Sequence, residues 1–204
     1  KMEKVKEVAD ERFVPRDFSI PFSPFIRHFD RYFQCVKLLG KVGKNETWLD
    51  CACGSGYGTN LLTGFAGNVV GYDIDHGAIK FASENYKNDY CKFTTDISMY
   101  RDKFDVILSV ETIEHMPEED APEFLKLLNS TMKENVTLII TTPIVKSTNY
   151  NPTNEFHYIE YSDNHFVELL STNGFEVKET NFVETTFTDG ETKDQGYYKC
   201  QKHI

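Results

Sequence analysis

The sequence predicts an α/β fold, a mainly parallel sheet flanked by helices and preceded by an N-terminal helical cap. Three observations carry that expectation. From Glu46 onward, short β-rich runs alternate with connections of helical or loop length, a glycine-rich turn leads from the first run into a helix, and an amphipathic stretch with no strand of its own precedes them all.

The first 45 residues hold Pro15, Pro21 and Pro24 and then, over 25–39, apolar positions at helical spacing. This segment, 1–45, is expected to cap a core spanning 46–204, the two together forming one domain. A chain of 204 residues, 40% hydrophobic with 16 Phe and 11 Tyr, supplies one well-buried core and is short for two.

The core runs are ETWLDCAC from Glu46, NVVGYDI from Asn68, CKFTTD from Cys91, FDVILSV from Phe104 and NVTLIITTP from Asn135. Their separation implies parallel pairing beneath covering helices. Residues 162–173 read as a helix stopped by Gly174, and FEVKETNFVETTF and QGYYKCQKHI as two strands joined at Thr188-Asp189-Gly190. The stretch 143–161, rich in Asn, Thr, Pro and aromatics, reads as one long loop, a length typical of functional or mobile segments.

Composition bounds the partners. A net charge of −10 and a pI near 5.1 argue against nucleic acid, whose binding depends on basic surface that releases counterions; a small-molecule or glycan acceptor fits better. No window approaches the roughly 18 apolar residues of a membrane span. The charged run 1–12 lacks the pattern of a secretory signal, so a cytoplasmic protein without membrane contact is expected. The five cysteines, Cys35, Cys51, Cys53, Cys91 and Cys200, are odd in number, and Cys51 and Cys53 lack the two-residue spacer of zinc or thioredoxin-like motifs. They are expected to be reduced and mostly buried.

The chemistry begins at WLDCACGSGYG, Trp48 to Gly58, where glycines let the backbone approach a ligand without Cβ collisions. A nucleotide-type ligand is expected there. The next run ends at Asp73, at about the 20-residue spacing at which a Rossmann unit places a carboxylate on the ribose hydroxyls; Asp75 is the alternative. A dinucleotide fingerprint wants Gly or Ala at the sixth position of G-x-G-x-x-G, and Thr59 stands there, so an NAD-dependent dehydrogenase is the weaker alternative.

LDCACGSGYG resembles the first motif of the class I S-adenosylmethionine (SAM)-dependent methyltransferases. The resemblance implies a Rossmann-like sheet of seven strands with an antiparallel last strand, SAM as cofactor and methyl transfer as the reaction. It places Asp50, Gly54 and Gly56 around the methionine part, Asp73 at the ribose, and Asp96 and Ile97 at the adenine. Further cofactor contacts are expected from Ala52, Cys53, Ile74 and Val110. On the cap, His28, Arg31 and Tyr32 share one helical side. Arg31 and Tyr32 are assigned to the cofactor, with Arg31 facing either the methionine carboxylate or a surface acid.

A narrower resemblance covers nearly the whole chain: ERFVP at 11–15, H-x-x-R-Y from His28, ACGSGYG, ETIEH at 111–115 and N-x-x-N-E-F-H from Asn151. Together these are similar to bacterial and phage methyltransferases found with glycan-modifying enzymes, which implies a sugar, nucleotide-sugar or similar hydroxyl as acceptor.

A hydroxyl acceptor loses its proton during attack, a step to which a placed base or metal contributes roughly 10²–10⁴-fold. Glu111, Glu114 and His115 follow the fourth run at its carboxyl end; on a helix they fall at i, i+3 and i+4 and share one face suited to a divalent cation. His157 offers a further ligand. This E-x-x-E-H with a distal His is similar to the metal site of small-RNA 2′-O-methyltransferases and to the ubiquinone-pathway O-methyltransferases. It implies Mg²⁺ or Mn²⁺ held by Glu111, Glu114, His115 and His157. The alternative dispenses with metal and makes His115 the base, with Glu111 and His157 completing the catalytic set. A SAM-binding protein without transfer activity is the alternative from another functional class; the acidic and histidine cluster beside the cofactor site argues against it.

Overall fold

The computed structural model describes residues 22–100, 103–186 and 192–203. Helix α1 (Phe22–Leu39) leads into strand β1 (Gly43–Cys51), and then α2 (Tyr57–Leu62), β2 (Ala66–Tyr72), α3 (His76–Tyr86), β3 (Cys91–Thr94) and β4 (Phe104–Val110) follow. The chain continues through α4 (Ala121–Thr131), β5 (Met132–Ile144), α5 (Asp163–Thr172), β6 (Phe175–Thr186) and β7 (Thr192–Lys202). Three short 3₁₀ turns, Ser98–Tyr100, Ile113–His115 and Glu118–Asp120, punctuate the loops.

The seven strands form one sheet in the order β3-β2-β1-β4-β5-β7-β6. β1, β2, β3, β4 and β5 pair in parallel, whereas β7 inserts antiparallel between β5 and β6. This is the Rossmann-like sheet that the sequence implies, with the final strand reversed. The strand order turns back between β1 and β4, and in open α/β sheets ligands bind beyond the carboxyl ends at such a switch point.

Side chains alternate strictly between two cores, as a pleated strand requires. Leu49, Ile107, Leu138, Ile140 and Tyr198 face a layer that includes Leu125 and Leu128 of α4 and Phe166 and Leu170 of α5. Trp48, Val106, Leu108, Ile139 and Tyr197 face the other layer, closed by Tyr32, Cys35, Leu38 and Leu39 of α1 and Leu62 of α2. Helix α1 thus lays its apolar stripe on one face of the sheet and shares that face with α2. All five cysteines are buried and unbridged, as expected for reduced thiols.

Element boundaries shift from the sequence reading where backbone pairing extends them. β1 begins at Gly43, ahead of Glu46, because Gly43 pairs with Ala66. β5 begins at Met132, ahead of Asn135, because Met132 pairs with Phe104 and the strand passes through an irregularity at which Asn135 takes φ 64°. The expected turn at Thr188-Asp189-Gly190, the motif at 11–15, Pro15 and Pro21 lie outside the described residues. No helix among the described residues is long and apolar enough to cross a membrane.

The long loop is tied down at its base. Val145 donates to the Tyr161 carbonyl at 2.9 Å, and Asn149 and Glu160 exchange backbone hydrogen bonds at 2.8 and 2.9 Å. Gly174, at φ 85°, stops α5 as the sequence predicts.

Candidate active site

Strand β1 delivers Asp50 and Cys51 into a tight turn in which Ala52, Gly54 and Gly56 all take positive φ, 62°, 54° and 83°. Ala52 holds a conformation that costs a residue with a Cβ, a form of local strain found where a backbone is shaped for function. Gly56 cannot be replaced: a Cβ there would lie 2.5 Å from Ala82 Cβ and 2.7 Å from the Phe93 ring. The turn is locked to the neighbouring strand by Cys53 donating to the Tyr72 carbonyl at 2.9 Å.

Asp73 sits at the tip of β2 with 5% exposure. One of its oxygens accepts from the Gly54 N–H and the other from the Asp75 N–H, both at 2.9 Å. A carboxylate oxygen has lone pairs for more than one donor, so this anchored group retains acceptor capacity for ligand hydroxyls. Asp75 has a different task. Its side chain caps α3, one oxygen accepting from both Gly77 and Ala78.

Ile74 and Met99 expose 78% and 79% of their surface, unusual for large apolar side chains. Asp96 is exposed and accepts from the Ser98 N–H at 2.8 Å; these hydrogen bonds hold its carboxyl below the ordinary aspartate range. The side chain of Ile97 is buried in the core, so only its backbone can serve a ligand.

Asp50 lies behind this surface, fully buried. Thr59 Oγ1 donates to it at 2.7 Å and the Tyr32 hydroxyl at 3.3 Å, so the carboxyl joins α1 and α2 to the sheet. Burial pushes its pKa up to about 7, against the lowering effect of those two hydrogen bonds. Thr59 fits because the facing residue on β2 is Gly71, where a Cβ would lie 2.7 Å from the Thr59 hydroxyl. The close helix–strand packing that a dinucleotide fingerprint obtains from its third glycine is obtained here from the strand side.

Beyond Val110, which ends β4 half-buried, the chain departs from the expected helix. Glu111 takes φ 52° and the following 3₁₀ turn spans only Ile113–His115, so Glu111 does not share a helical face with Glu114 and His115. This corrects its placement as a metal ligand beside them. Its carboxylate instead meets Arg31 of α1 at 3.2 Å and accepts from Thr141 Oγ1 at 2.9 Å and from the Gln195 side chain. Burial opposes the charge on Arg31, and Glu111, Tyr57, Tyr197 and Glu114 together outweigh it, leaving the guanidinium a stronger base than usual. His28, lowered to about 3 by burial and by Arg31 and Arg27, stays neutral beside them.

Glu114, His115 and His157 do come together, each offering a ligand atom within 4.8 Å of the others. The two rings meet edge to face at 4.9 Å. His115 Nδ1 lies 3.0 Å from the Phe156 carbonyl, which only accepts, so the hydrogen is on Nδ1. His157 Nδ1 lies 3.0 Å from Glu160 Oε1. In the neutral form of either ring, Nε2 is then the nitrogen with the lone pair. Glu114 is fully buried: Oε2 accepts from Thr142 at 3.1 Å, and Oε1 has no hydrogen-bond partner among the described residues. Burial, reinforced by Glu111, pushes its pKa well above the ordinary glutamate value. A buried carboxyl oxygen without a donor is costly, and a cation or a ligand hydroxyl would satisfy it.

Five contributing residues escaped the sequence reading: Thr141 and Thr142 on β5, Glu160 in the long loop, and Lys193 and Gln195 on β7. Glu160 stands three residues after His157, and Lys193 and Gln195 stand two apart, the spacing of one strand face. That was the available signal.

The chain matches a methyltransferase-domain family over residues 26–180. It is 28% identical over 137 residues to a protein of Mycolicibacterium smegmatis named "Probable S-adenosylmethionine-dependent methyltransferase", covering 65% of this chain and 52% of that one. It is also 28% identical over 153 residues to the ubiquinone biosynthesis O-methyltransferase of Pelagibacter ubique, covering 69% of this chain and 63% of that one. The chain thus spans between half and two thirds of the length of these curated relatives. Among solved structures, magnesium protoporphyrin IX methyltransferase of Synechocystis PCC 6803 with bound SAH superposes with a TM-score of 0.69 at 17% identity, over 98% of this chain and 93% of that one. At that identity the likeness shows a shared fold.

Proposed function

The chain belongs to the methyltransferase-domain family, and we propose that it transfers the methyl group of SAM to a hydroxyl of a small polar acceptor, a sugar, nucleotide sugar or similar metabolite. The observation that carries the reading is the Glu114, His115 and His157 cluster with its unpartnered buried oxygen, set beyond the carboxyl end of β4 beside the switch point. The P. ubique relative is named an O-methyltransferase, which agrees with a hydroxyl acceptor. The glycan-locus resemblance of the motifs supports a sugar as the carrier of that hydroxyl. The whole chain acts in this reading as one domain, 1–45 as cap and 46–204 as SAM-binding core.

The residues present fit SAM. The anchored Asp73 accepts the ribose hydroxyls, with Ile74 against the sugar and base. Asp96 and the Ile97 backbone take the adenine, and the turn through Ala52, Cys53, Gly54 and Gly56 lies along the methionine part with Val110 below. Tyr32 supports the turn through Asp50, and Arg31 stands at the cap side where a carboxylate would enter. When bound, SAM supplies a methyl group on a sulfonium already electrophilic enough to react, so the protein's larger task is alignment and exclusion of water.

Transfer to oxygen requires removal of a proton. His115 and His157 present Nε2 for this, the hydrogen on each Nδ1 being fixed by Phe156 and Glu160. Glu114, His115 and His157 are also a donor set for Mg²⁺ or Mn²⁺, which would lower the pKa of a bound hydroxyl. Glu111 stands outside this donor set as the partner of Arg31.

Release of S-adenosylhomocysteine from SAM across a panel of nucleotide sugars, free sugars and phenols tests the reading. Turnover with a hydroxyl acceptor is expected; turnover only with an amine would overturn O-transfer. Loss of activity in EDTA with recovery on Mg²⁺ or Mn²⁺ assigns the cluster to an ion. Activity that ignores EDTA but disappears in His115→Ala assigns it to a base.

A further inference from the structure

Glu160 is 1% exposed in a chain whose net charge is already −10. A buried carboxylate in such a setting persists only with partners, and Glu160 has two. Lys193 reaches it from β7, donating to Oε1 at 2.9 Å and to Oε2 at 3.0 Å. His157 stands against Oε1 at 3.0 Å with its own side chain 9% exposed. The backbone is fixed as well: Glu160 and Asn149 exchange hydrogen bonds, and the adjacent Tyr161 pairs with Ile144 at the end of β5. Turn geometry fixes the backbone that carries the ring, since His157 N–H donates to the Asn154 carbonyl at 3.0 Å and the Asn154 side chain accepts from Phe156 N–H at 3.1 Å.

An imidazole held only by solvent samples both neutral tautomers and turns about its χ angles. Here a charge-assisted contact on Nδ1, from an anion that is itself immobilised, removes both freedoms. Histidines that bind a metal or accept a proton commonly use this arrangement, in which a carboxylate behind the ring fixes which nitrogen faces the reaction. Lys193 belongs to the last strand, so the orientation of a ring in the long loop is set by the sheet.

We propose that Glu160, clamped by Lys193, is a positioning residue of this site, holding His157 with its hydrogen on Nδ1 and Nε2 turned toward Glu114 and His115. The inference rests on the reading of His157 as part of the reactive centre.

Long-range ¹H–¹⁵N correlation spectra of the full chain, recorded with the ring neutral, test it. Wild-type His157 is expected as the Nδ1–H tautomer. Glu160→Gln, whose amide oxygen still accepts from Nδ1, is expected to keep that tautomer, whereas Glu160→Ala shifts His157 toward the Nε2–H form and lowers kcat by roughly 10–100-fold. SAM affinity measured on each variant verifies the fold and is expected to be unchanged, because Glu160 lies outside the cofactor residues. An Nε2–H tautomer in the wild type, or a tautomer unaffected by Glu160→Ala, would overturn the proposal. Unchanged turnover in His157→Ala would instead overturn the reading of the reactive centre, a result the tautomer spectra do not depend on.

Discussion

Arg31 and Glu111 form an ion pair of 3.2 Å across the seam between the N-terminal helix and the end of β4, with only 18% and 13% of their side chains exposed. The pair ties the cap to the point where the strand order reverses. Glu111 is held from behind by Thr141 and Gln195, so the charge that Arg31 meets is fixed in place.

Removing one member of a largely buried pair leaves the other charge under-compensated. Arg31→Ala is expected to destabilise the fold by about 1–3 kcal/mol in urea denaturation, the residual exposure keeping it below the fully buried case. A double-mutant cycle with Glu111→Gln should show coupling of about 1 kcal/mol. Strictly additive effects would mean that the two side chains act independently.

Asp73→Ala is expected to weaken SAM binding by about 2–3 kcal/mol in calorimetry, since the carboxylate accepts charge-assisted bonds from hydroxyls that would be left unpaired. The loss of its bonds to Gly54 and Asp75 should also loosen the turn. Wild-type affinity in this variant would remove Asp73 from the ribose.

Asp50 makes stability depend on pH in an unusual direction. Its folded pKa stands near 7 against an ordinary 3.8, so between those values the folded state binds more protons than the unfolded state. The linkage slope is then negative: this residue's contribution is present below about pH 4 and is lost as pH rises through 7. Asp50→Asn, which resembles the protonated acid, is expected to match the wild type near pH 4 and to exceed it by up to about 4 kcal/mol above pH 7. Denaturation curves at four pH values check this, and a constant difference between the two proteins would contradict it.

The parts of the site legible in the sequence are those that a short segment builds by itself. The turn from Ala52 to Gly56 and the acid at the tip of β2 follow from strand, glycine and spacing, and the apolar stripe of α1 is a local period. Glu111 was misplaced because helical spacing was extended across a residue in left-handed backbone; ETIEH has no glycine there to announce the turn. Gln195 and Lys193 reach Glu111 and Glu160 only through the antiparallel insertion of β7 between β5 and β6. That register is fixed by pairing across the sheet, and no local pattern encodes it. The same holds for the Glu114 oxygen without a partner among the described residues, which depends on what segments distant in sequence leave around it.

Turnover of SAM to S-adenosylhomocysteine, with the hydroxyl acceptor found in the screen, tests the central claim most directly when measured on Glu114→Ala, His115→Ala and His157→Ala with SAM affinity followed in parallel. Each variant is expected to lose at least 100-fold, within the roughly 10²–10⁴-fold range of a placed base or metal, while binding SAM as the wild type does. Wild-type turnover in all three would show that the cluster is structural and would contradict the account.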